Sequence, residues 1–156
     1  ILDGRILLER GRFYLADNTR EKTEISLIAE GLRKIGTVSH LLANGSLNKN
    51  SILFWDEPDS NLNPRLIKKV AQMLLDLSFA GMQVFITTHN LFLIREIEIL
   101  KNPKNKVRYL GLGFDDRNRL RVSQSDDVED LDDLVLLDED LEQSDRFLKK
   151  DADADH

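Results

Sequence analysis

Residues 51–64 read SILFWDEPDSNLNP, an apolar run that leads into two adjacent carboxylates and then a turn. The run is short, rich in β-formers and bounded by turn formers, which predicts a strand near residues 51–55 with Trp55 in the core. Asp56 and Glu57 then fall at the carboxyl end of a buried strand. Charged groups are costly there unless chemistry uses them, so this segment is the first candidate for a functional site.

A helix is predicted to follow at about residues 64–80. Asn63 is a favourable N-cap, Pro64 is favoured at the first helical position, and Gly81 suits the end of a helix. Apolar residues recur at helical spacing between these two signals and predict one buried stripe. They are Leu66, Ile67, Val70, Met73, Leu74 and Leu77.

A second apolar run at residues 82–87 predicts another buried strand, and it delivers His89 to its carboxyl end. Asn90 can cap a helix predicted at 91–100. Parallel strands joined by a right-handed crossover point the same way, so the imidazole is expected at the same sheet edge as the two carboxylates. A central parallel strand is also expected to be covered on both faces.

The rest of the chain fits an α/β fold in which helices flank a parallel sheet. A helix is predicted at about 25–44 and a hairpin within residues 4–16 at one edge. Further strands are predicted at about 106–113 and 119–123, with a turn between them.

Taken together, these motifs resemble the carboxyl-terminal half of an ABC-type ATPase head, the class that includes the RecF, SMC and OLD-like proteins. Residues 52–57 look like the Walker B strand and its following glutamate, 60–63 like the D-loop, and His89 like the switch histidine. The resemblance implies a P-loop NTPase-like (ABC-type) partial domain. It is specific because Asp-Glu-Pro, the Ser-x-Leu-x-Pro continuation and the later Thr-His occur in order.

A signature element is expected ahead of the Walker B strand in such heads, and residues 25–36 occupy that place. The segment Ala29-Glu30-Gly31 lacks the serine and the double glycine of the family's Leu-Ser-Gly-Gly-Gln pattern. It is more similar to the Glu-Gly form of stand-alone AAA-type relatives. Backbone amides at a helix start suit phosphate contact.

The sequence contains no Gly-Lys dipeptide, so the phosphate-cradling P-loop is absent from it. The chain starts at Ile1 and opens inside the predicted hairpin. We therefore expect a fragment or one half of a split ATPase, with a P-loop lobe supplied separately.

The resemblance also implies roles for individual residues, with ATP and Mg²⁺ as ligands. Asp56 would hold Mg²⁺, Glu57 would polarise the attacking water, and His89 would contact the γ-phosphate. A second ATPase subunit would pair with this one, and an effector or nuclease protein and DNA are further expected partners. Ser60, Asn61 and Asn63 would lie at the subunit seam, while Glu30 and Gly31 would approach the nucleotide bound by the partner.

Composition and charge divide the chain into residues 1–125, an ATPase portion, and residues 126–156, an acidic, partly helical tail. The first part has 19 Lys or Arg against 14 Asp or Glu, and the second has 3 against 14. The tail keeps a rough helical spacing of apolar residues, and its end, 149–156, is predicted to be disordered. The 156 residues include no cysteine and no apolar stretch long enough to span a membrane, which predicts a cytoplasmic protein without a membrane partner.

Other readings remain open from sequence alone. The two carboxylates suit a helix dipole, and a lone histidine is often a packing or capping residue. The alternating arginines at 117, 119 and 121 suit either a solvated face or a nucleic-acid stripe. The chain as a whole is either an ATP-hydrolysing head or a non-catalytic interaction module derived from one, and direct duplex DNA binding is a third hypothesis.

Overall fold

The structure is a computed structural model that describes residues 4–9, 12–17, 22–24, 30–131 and 135–154. The chain forms two compact units, Ile1–Asn105 and Lys106–His156. These units group residues by their contacts in space. The boundary after residue 125, which the distribution of charged residues suggests, stays a prediction. In chain order the elements are β1 (Gly4–Glu9), β2 (Arg12–Asp17), β3 (Lys22–Glu24), α1 (Glu30–Ala43), β4 (Ile52–Asp56), α2 (Pro64–Phe79), β5 (Gln83–Thr87), α3 (Leu91–Leu100), β6 (Tyr109–Phe114), β7 (Leu120–Ser125), a short 3₁₀ turn (Val128–Asp130) and α4 (Val135–Ala154).

The predicted strand-helix-strand unit is present as β4, α2 and β5. The two strands pair in parallel, from Ile52 opposite Gln83 to Asp56 opposite Thr87. This pairing places both carboxyl ends at one edge of the sheet and confirms the predicted crossover unit.

Local signals set the bounds of α2 as the sequence predicts. The Asn63 side-chain oxygen accepts a hydrogen bond from the Leu66 backbone N–H at 3.1 Å, and Pro64 is the first helical residue. At the other end, Gly81 adopts a φ of 97°, a left-handed conformation that glycine tolerates best.

The core of the first unit lies between α1, α2 and one face of the β4–β5 sheet. Trp55 is only 8% exposed, which confirms that this side chain belongs to the core. The buried members of the cluster are Ile35, Val38, Trp55, Val70, Leu74, Leu77 and Met82.

The opposite face of the same sheet contradicts the prediction that both faces are covered. Ile52 is 55% exposed and Phe54 is 75% exposed, and the Phe54 ring stacks on Phe85 with centroids 4.8 Å apart. Alternate residues of a strand point to opposite faces, so the helices that cover Leu53 and Trp55 leave these rings exposed.

At the amino-terminal end, β1, β2 and β3 form an antiparallel sheet, which confirms the predicted hairpin. Within the described residues this sheet is separate from the β4–β5 sheet, so the expected place of the hairpin at one edge of the parallel sheet is wrong. The helix predicted over 25–44 is present as α1. It ends at Ala43 as expected, whereas residues 25–29 lie outside the described part of the chain.

The second unit contains the β6–β7 hairpin and α4. The hairpin confirms the predicted pair of strands, although β6 begins at Tyr109 because pairing with β7 starts there. The predicted disorder from residue 149 is wrong as far as Ala154, since α4 continues to that residue. Lys149, Lys150 and Ala152 are good helix formers, which favours this continuation. Among the described helices, none combines the length and apolar composition that crossing a bilayer requires.

Candidate active site

The predicted acids and imidazole meet at the carboxyl edge of the β4–β5 sheet. Asp56 is the last residue of β4, and its Oδ1 accepts a hydrogen bond from the hydroxyl of Thr87, the last residue of β5. Glu57 follows directly, and its Oε1 lies 2.8 Å from Nδ1 of His89. The expected convergence of Asp56, Glu57 and His89 is therefore present in the fold.

The contact between Glu57 and His89 requires a proton between the two atoms, because a carboxylate oxygen only accepts hydrogen bonds. The Nδ1–H of His89 is thus the donor, and Nε2 is the ring nitrogen that this contact leaves unused. The Glu57 side chain is 41% exposed, and the His89 side chain is 76% exposed. Exposed pairs of this kind add little to folding stability.

The backbone of Glu57 is held in an unfavourable conformation. Its φ is 45°, in the left-handed region that residues with a Cβ rarely adopt. The Glu57 N–H donates to the Thr87 carbonyl at 3.0 Å, and the Glu57 carbonyl accepts from the Ser60 N–H at 3.2 Å. Contacts on both sides thus enforce the strained residue, a combination that is common at functional sites.

Lys34 of α1 reinforces the same turn. Its Nζ donates to the Ser60 hydroxyl at 2.7 Å and to the Glu57 carbonyl at 3.3 Å. No sequence pattern predicts this role of Lys34, because a position inside a helix gives no indication that the side chain reaches a distant turn.

The D-loop-like residues occupy defined positions in this turn. Ser60 is engaged by Lys34, Asn61 adopts a φ of 60°, and the Asn63 side chain caps α2. Asparagine tolerates the left-handed conformation better than most residues, which explains its presence at position 61. The expected location of these residues at a subunit seam stays a prediction.

Glu30 and Gly31 begin α1, and Gly31 is buried beneath the turn. A Cβ on Gly31 would lie 2.4 Å from Leu62 Cδ2 and 2.8 Å from the Ser60 carbonyl oxygen. Glycine therefore permits α1 to approach the D-loop-like turn closely. A contact of Glu30 or Gly31 with a partner's nucleotide stays a prediction.

Asp59, Thr88 and Asn90 form a connected group that no sequence pattern predicts. Asp59 is only 7% exposed, and both of its carboxylate oxygens accept hydrogen bonds from residues next to His89. The sequence shows an acid two residues after Glu57 and a polar residue on each side of His89. Only the fold shows that the acid bonds these two polar residues.

The donor set at the edge fits Mg²⁺ bound together with phosphate. Among the described residues, no group of three His, Cys, Asp or Glu side chains is placed to hold a metal alone. Mg²⁺ generally uses one or two carboxylates plus water and substrate phosphates, and Asp56 is an exposed carboxylate with a second oxygen available. A separate cleft of about 460 Å³ between the ends of α2 and α3 contains Gln72, Phe79 and Leu100 but none of these edge residues.

Comparison with known sequences gives a family match. A protein-family model described as "AAA domain, putative AbiEii toxin, Type IV TA system" matches residues 3–95. An ABC transporter ATP-binding/permease protein of Mycobacterium tuberculosis is 33% identical over 91 residues, which are 57% of this chain and 10% of that protein. A fluoroquinolones export ATP-binding protein of the same organism is 37% identical over 49 residues, 31% of this chain and 16% of that protein. The chain thus spans a small part of the length of either relative.

Solved structures share the fold. One comes from work on ATP-driven dimerization and DNA-stimulated activation of SMC ATPases; it has a TM-score of 0.56 at 14% identity and covers 78% of this chain and 72% of that chain. The Smc head domain of Pyrococcus furiosus, bound to the C-terminal domain of ScpA, also has a TM-score of 0.56 at 14% identity, over 94% of this chain and 33% of that chain. The likeness confirms the predicted α/β fold of P-loop NTPase type.

Proposed function

Because this chain belongs to the AAA domain family whose model spans residues 3–95, we propose that it supplies the water-activating and phosphate-sensing edge of an ABC-class ATPase head. Its relatives in sequence include an ABC transporter ATP-binding/permease protein and a fluoroquinolones export ATP-binding protein, and this similarity supports an ATP-binding function. The observation that carries the finer proposal is the 2.8 Å contact between Glu57 and His89 beside Asp56.

In this proposal each edge residue has one chemical task. Asp56 holds Mg²⁺, which neutralises negative charge on the phosphate oxygens when it is bound. One oxygen of Glu57 accepts the hydrogen bond from His89 Nδ1–H, and the other accepts a hydrogen bond from the attacking water. In the imidazolium form both ring nitrogens donate, so His89 bonds Glu57 through Nδ1 and the γ-phosphate through Nε2.

The phosphate cradle must come from elsewhere, since the sequence has no Gly-Lys dipeptide. We infer that a P-loop-bearing lobe packs with this chain and that two heads close over shared nucleotide. Ser60, Asn61 and Asn63 then lie at the seam, and Glu30 and Gly31 approach the nucleotide of the partner. Hydrolysis releases the heads, which makes the assembly a switch that controls a DNA-related or defence partner.

The test is Glu57→Gln in the natural full-length protein. Glutamine keeps the shape of the side chain but is a very weak base, so ATP turnover should fall about 100-fold or more while ATP-stabilised dimers remain. Glu142→Gln is the control, because Glu142 is exposed on α4. ATP turnover by this variant should match that of the wild type. Wild-type turnover by Glu57→Gln would refute the assignment.

A second candidate is a non-catalytic interaction module derived from an ATPase head. The missing Gly-Lys dipeptide and the exposed Phe54 and Phe85 rings favour this reading. Titration with Mg-ATP separates the two functions. Binding that depends on an added P-loop lobe supports the ATPase, whereas no binding with any such lobe supports the module.

A further inference from the structure

We propose that Asp59 is a positioning residue that sets the distance between Glu57 and His89. Asp59 is 7% exposed, and a buried carboxylate is unfavourable unless hydrogen bonds satisfy it. Its catalytic meaning rests on the proposed ATPase function, but the positioning itself is a property of the folded chain.

The hydrogen bonds of Asp59 bracket His89 on both sides. Asp59 Oδ1 accepts from the Thr88 hydroxyl at 2.8 Å, and Oδ2 accepts from the Asn90 side-chain amide at 2.8 Å. One carboxylate therefore binds the residue before His89 and the residue after it.

Further bonds fix the roles of the two partners. The Thr88 hydroxyl accepts from the Asn90 backbone N–H at 3.0 Å, and the Asn90 side-chain oxygen accepts from the Phe92 N–H at 2.9 Å. The Asn90 oxygen is thus committed to capping α3, which leaves its amide group to donate to Asp59. The carboxylate at position 59 is matched to this arrangement because it accepts at both oxygens.

The same network links the two turns of the active site. Asp59 lies two residues after Glu57, in the turn that follows β4, while its partners lie in the turn that follows β5. Glu57 and His89 are 41% and 76% exposed, so their own contact is too weak to hold both side chains in place. The backbone bond from Glu57 to Thr87 joins the two turns at the sheet edge, and the buried Asp59 adds a side-chain constraint on the residues that flank His89.

The decisive experiment exchanges the two partners. Asn90→Asp alone puts two carboxylates in contact, and Asp59→Asn alone removes one acceptor from the network. In the double variant Asp59→Asn/Asn90→Asp, the new amide at position 59 donates to the new carboxylate at position 90, which still caps α3. The double variant thus restores the charge and the number of hydrogen bonds.

The first readout is the imidazole ¹⁵N spectrum of His89 in the full chain without nucleotide. We expect the Nδ1–H signal that marks the bond to Glu57 to be lost in both single variants and restored in the double variant. Urea unfolding shows whether each single variant is folded. If a single variant is unfolded, the presence or absence of the Nδ1–H signal in the double variant decides whether Asp59 positions His89. An unchanged Nδ1 signal in folded single variants, or a folded double variant that lacks the signal, would overturn the proposal.

The second readout is ATP turnover by the full-length protein. A displacement of about 1 Å can lower a rate about 100-fold, so Asn90→Asp should lose at least tenfold and the double variant should recover to within about threefold. If the double variant loses as much ATP turnover as Asn90→Asp alone, the result would contradict a positioning role for Asp59. If the wild type hydrolyses no ATP but the imidazole signal follows the exchange, the proposed function fails and the positioning stands.

Discussion

The ammonium group of Lys34 lies 2.7 Å from the hydroxyl of Ser60. Lys34 belongs to α1, and it also donates to the carbonyl of Glu57, so one side chain ties this helix to the turn that presents the proposed base. The contact thus links α1 to this turn.

Removal of this link should loosen the turn. We expect Lys34→Met to lower the free energy of unfolding by about 1 kcal/mol, because the charged donor is lost while the apolar stem is retained. Urea unfolding of the full chain measures this effect. Arg33→Met is the control, since Arg33 is exposed on the same helix and should have little effect. Equal stability of the Lys34→Met and Arg33→Met variants would argue against the link.

Gly31 should be intolerant of a methyl group. Within a helix, Gly→Ala usually stabilises by about 1 kcal/mol. Here the new Cβ would meet Leu62 at 2.4 Å and a backbone oxygen at 2.8 Å, so overpacking should win and Gly31→Ala should destabilise by about 1–3 kcal/mol. The midpoint of urea unfolding shows whether Gly31→Ala lowers or raises the stability of the chain. Thr37→Ala, at an exposed position of the same helix, should leave the midpoint unchanged or raise it.

The strained backbone of Glu57 predicts an inverted preference between glycine and alanine. At a φ of 45°, Glu57→Gly should be more stable than Glu57→Ala by about 1 kcal/mol, because glycine has no Cβ to clash. The matched pair Glu142→Gly and Glu142→Ala, at an exposed position of α4, should show the opposite order, with the alanine variant more stable by about 1 kcal/mol. The same order at both positions would mean that Glu57 is not strained in solution.

The turn between β6 and β7 offers a pH-dependent test. The Asp115 carboxylate accepts from the Arg119 side chain and from the backbone N–H groups of Arg119 and Arg117, and the resulting pKa of Asp115 lies below its ordinary value of 3.8. A lowered pKa means that the ionised form stabilises the turn above the unfolded pKa. This contribution is lost as the pH falls through the folded pKa.

Carboxyl ¹³C titration of the full chain measures that pKa. Arg119→Gln should raise it, because the Arg119 side chain is the largest cause of the shift. Arg117→Gln should change it less, because Arg117 bonds Asp115 through its backbone N–H. Titration of wild-type Asp115 at or above 3.8 would contradict the geometry.

Sequence patterns predicted those parts of the fold that depend on local signals. Asn63 and Pro64 gave the start of α2, and apolar runs of strand length gave β4 and β5, because caps and periodicity act within a few residues. The meeting of Glu57 and His89 also followed, since a crossover rule fixes the direction of both strands.

The features that the sequence did not reveal depend on contacts between distant segments. Asp59 bonds Thr88 and Asn90, which lie 29 and 31 residues further along the chain, and no periodic pattern marks that pairing. The exposure of Phe54 was likewise missed, because an apolar run of this length is typical of a strand covered on both faces.

The central claim is that Glu57 and His89 act as one catalytic unit on ATP. The most direct measurement is single-turnover ATP hydrolysis by the full-length protein with Glu57→Gln, His89→Ala and both changes together. We predict that the double variant is no slower than the slower single variant, because groups that act as a unit are strongly non-additive. Losses that multiply in the double variant, or hydrolysis at the wild-type rate in either single variant, would contradict the claim.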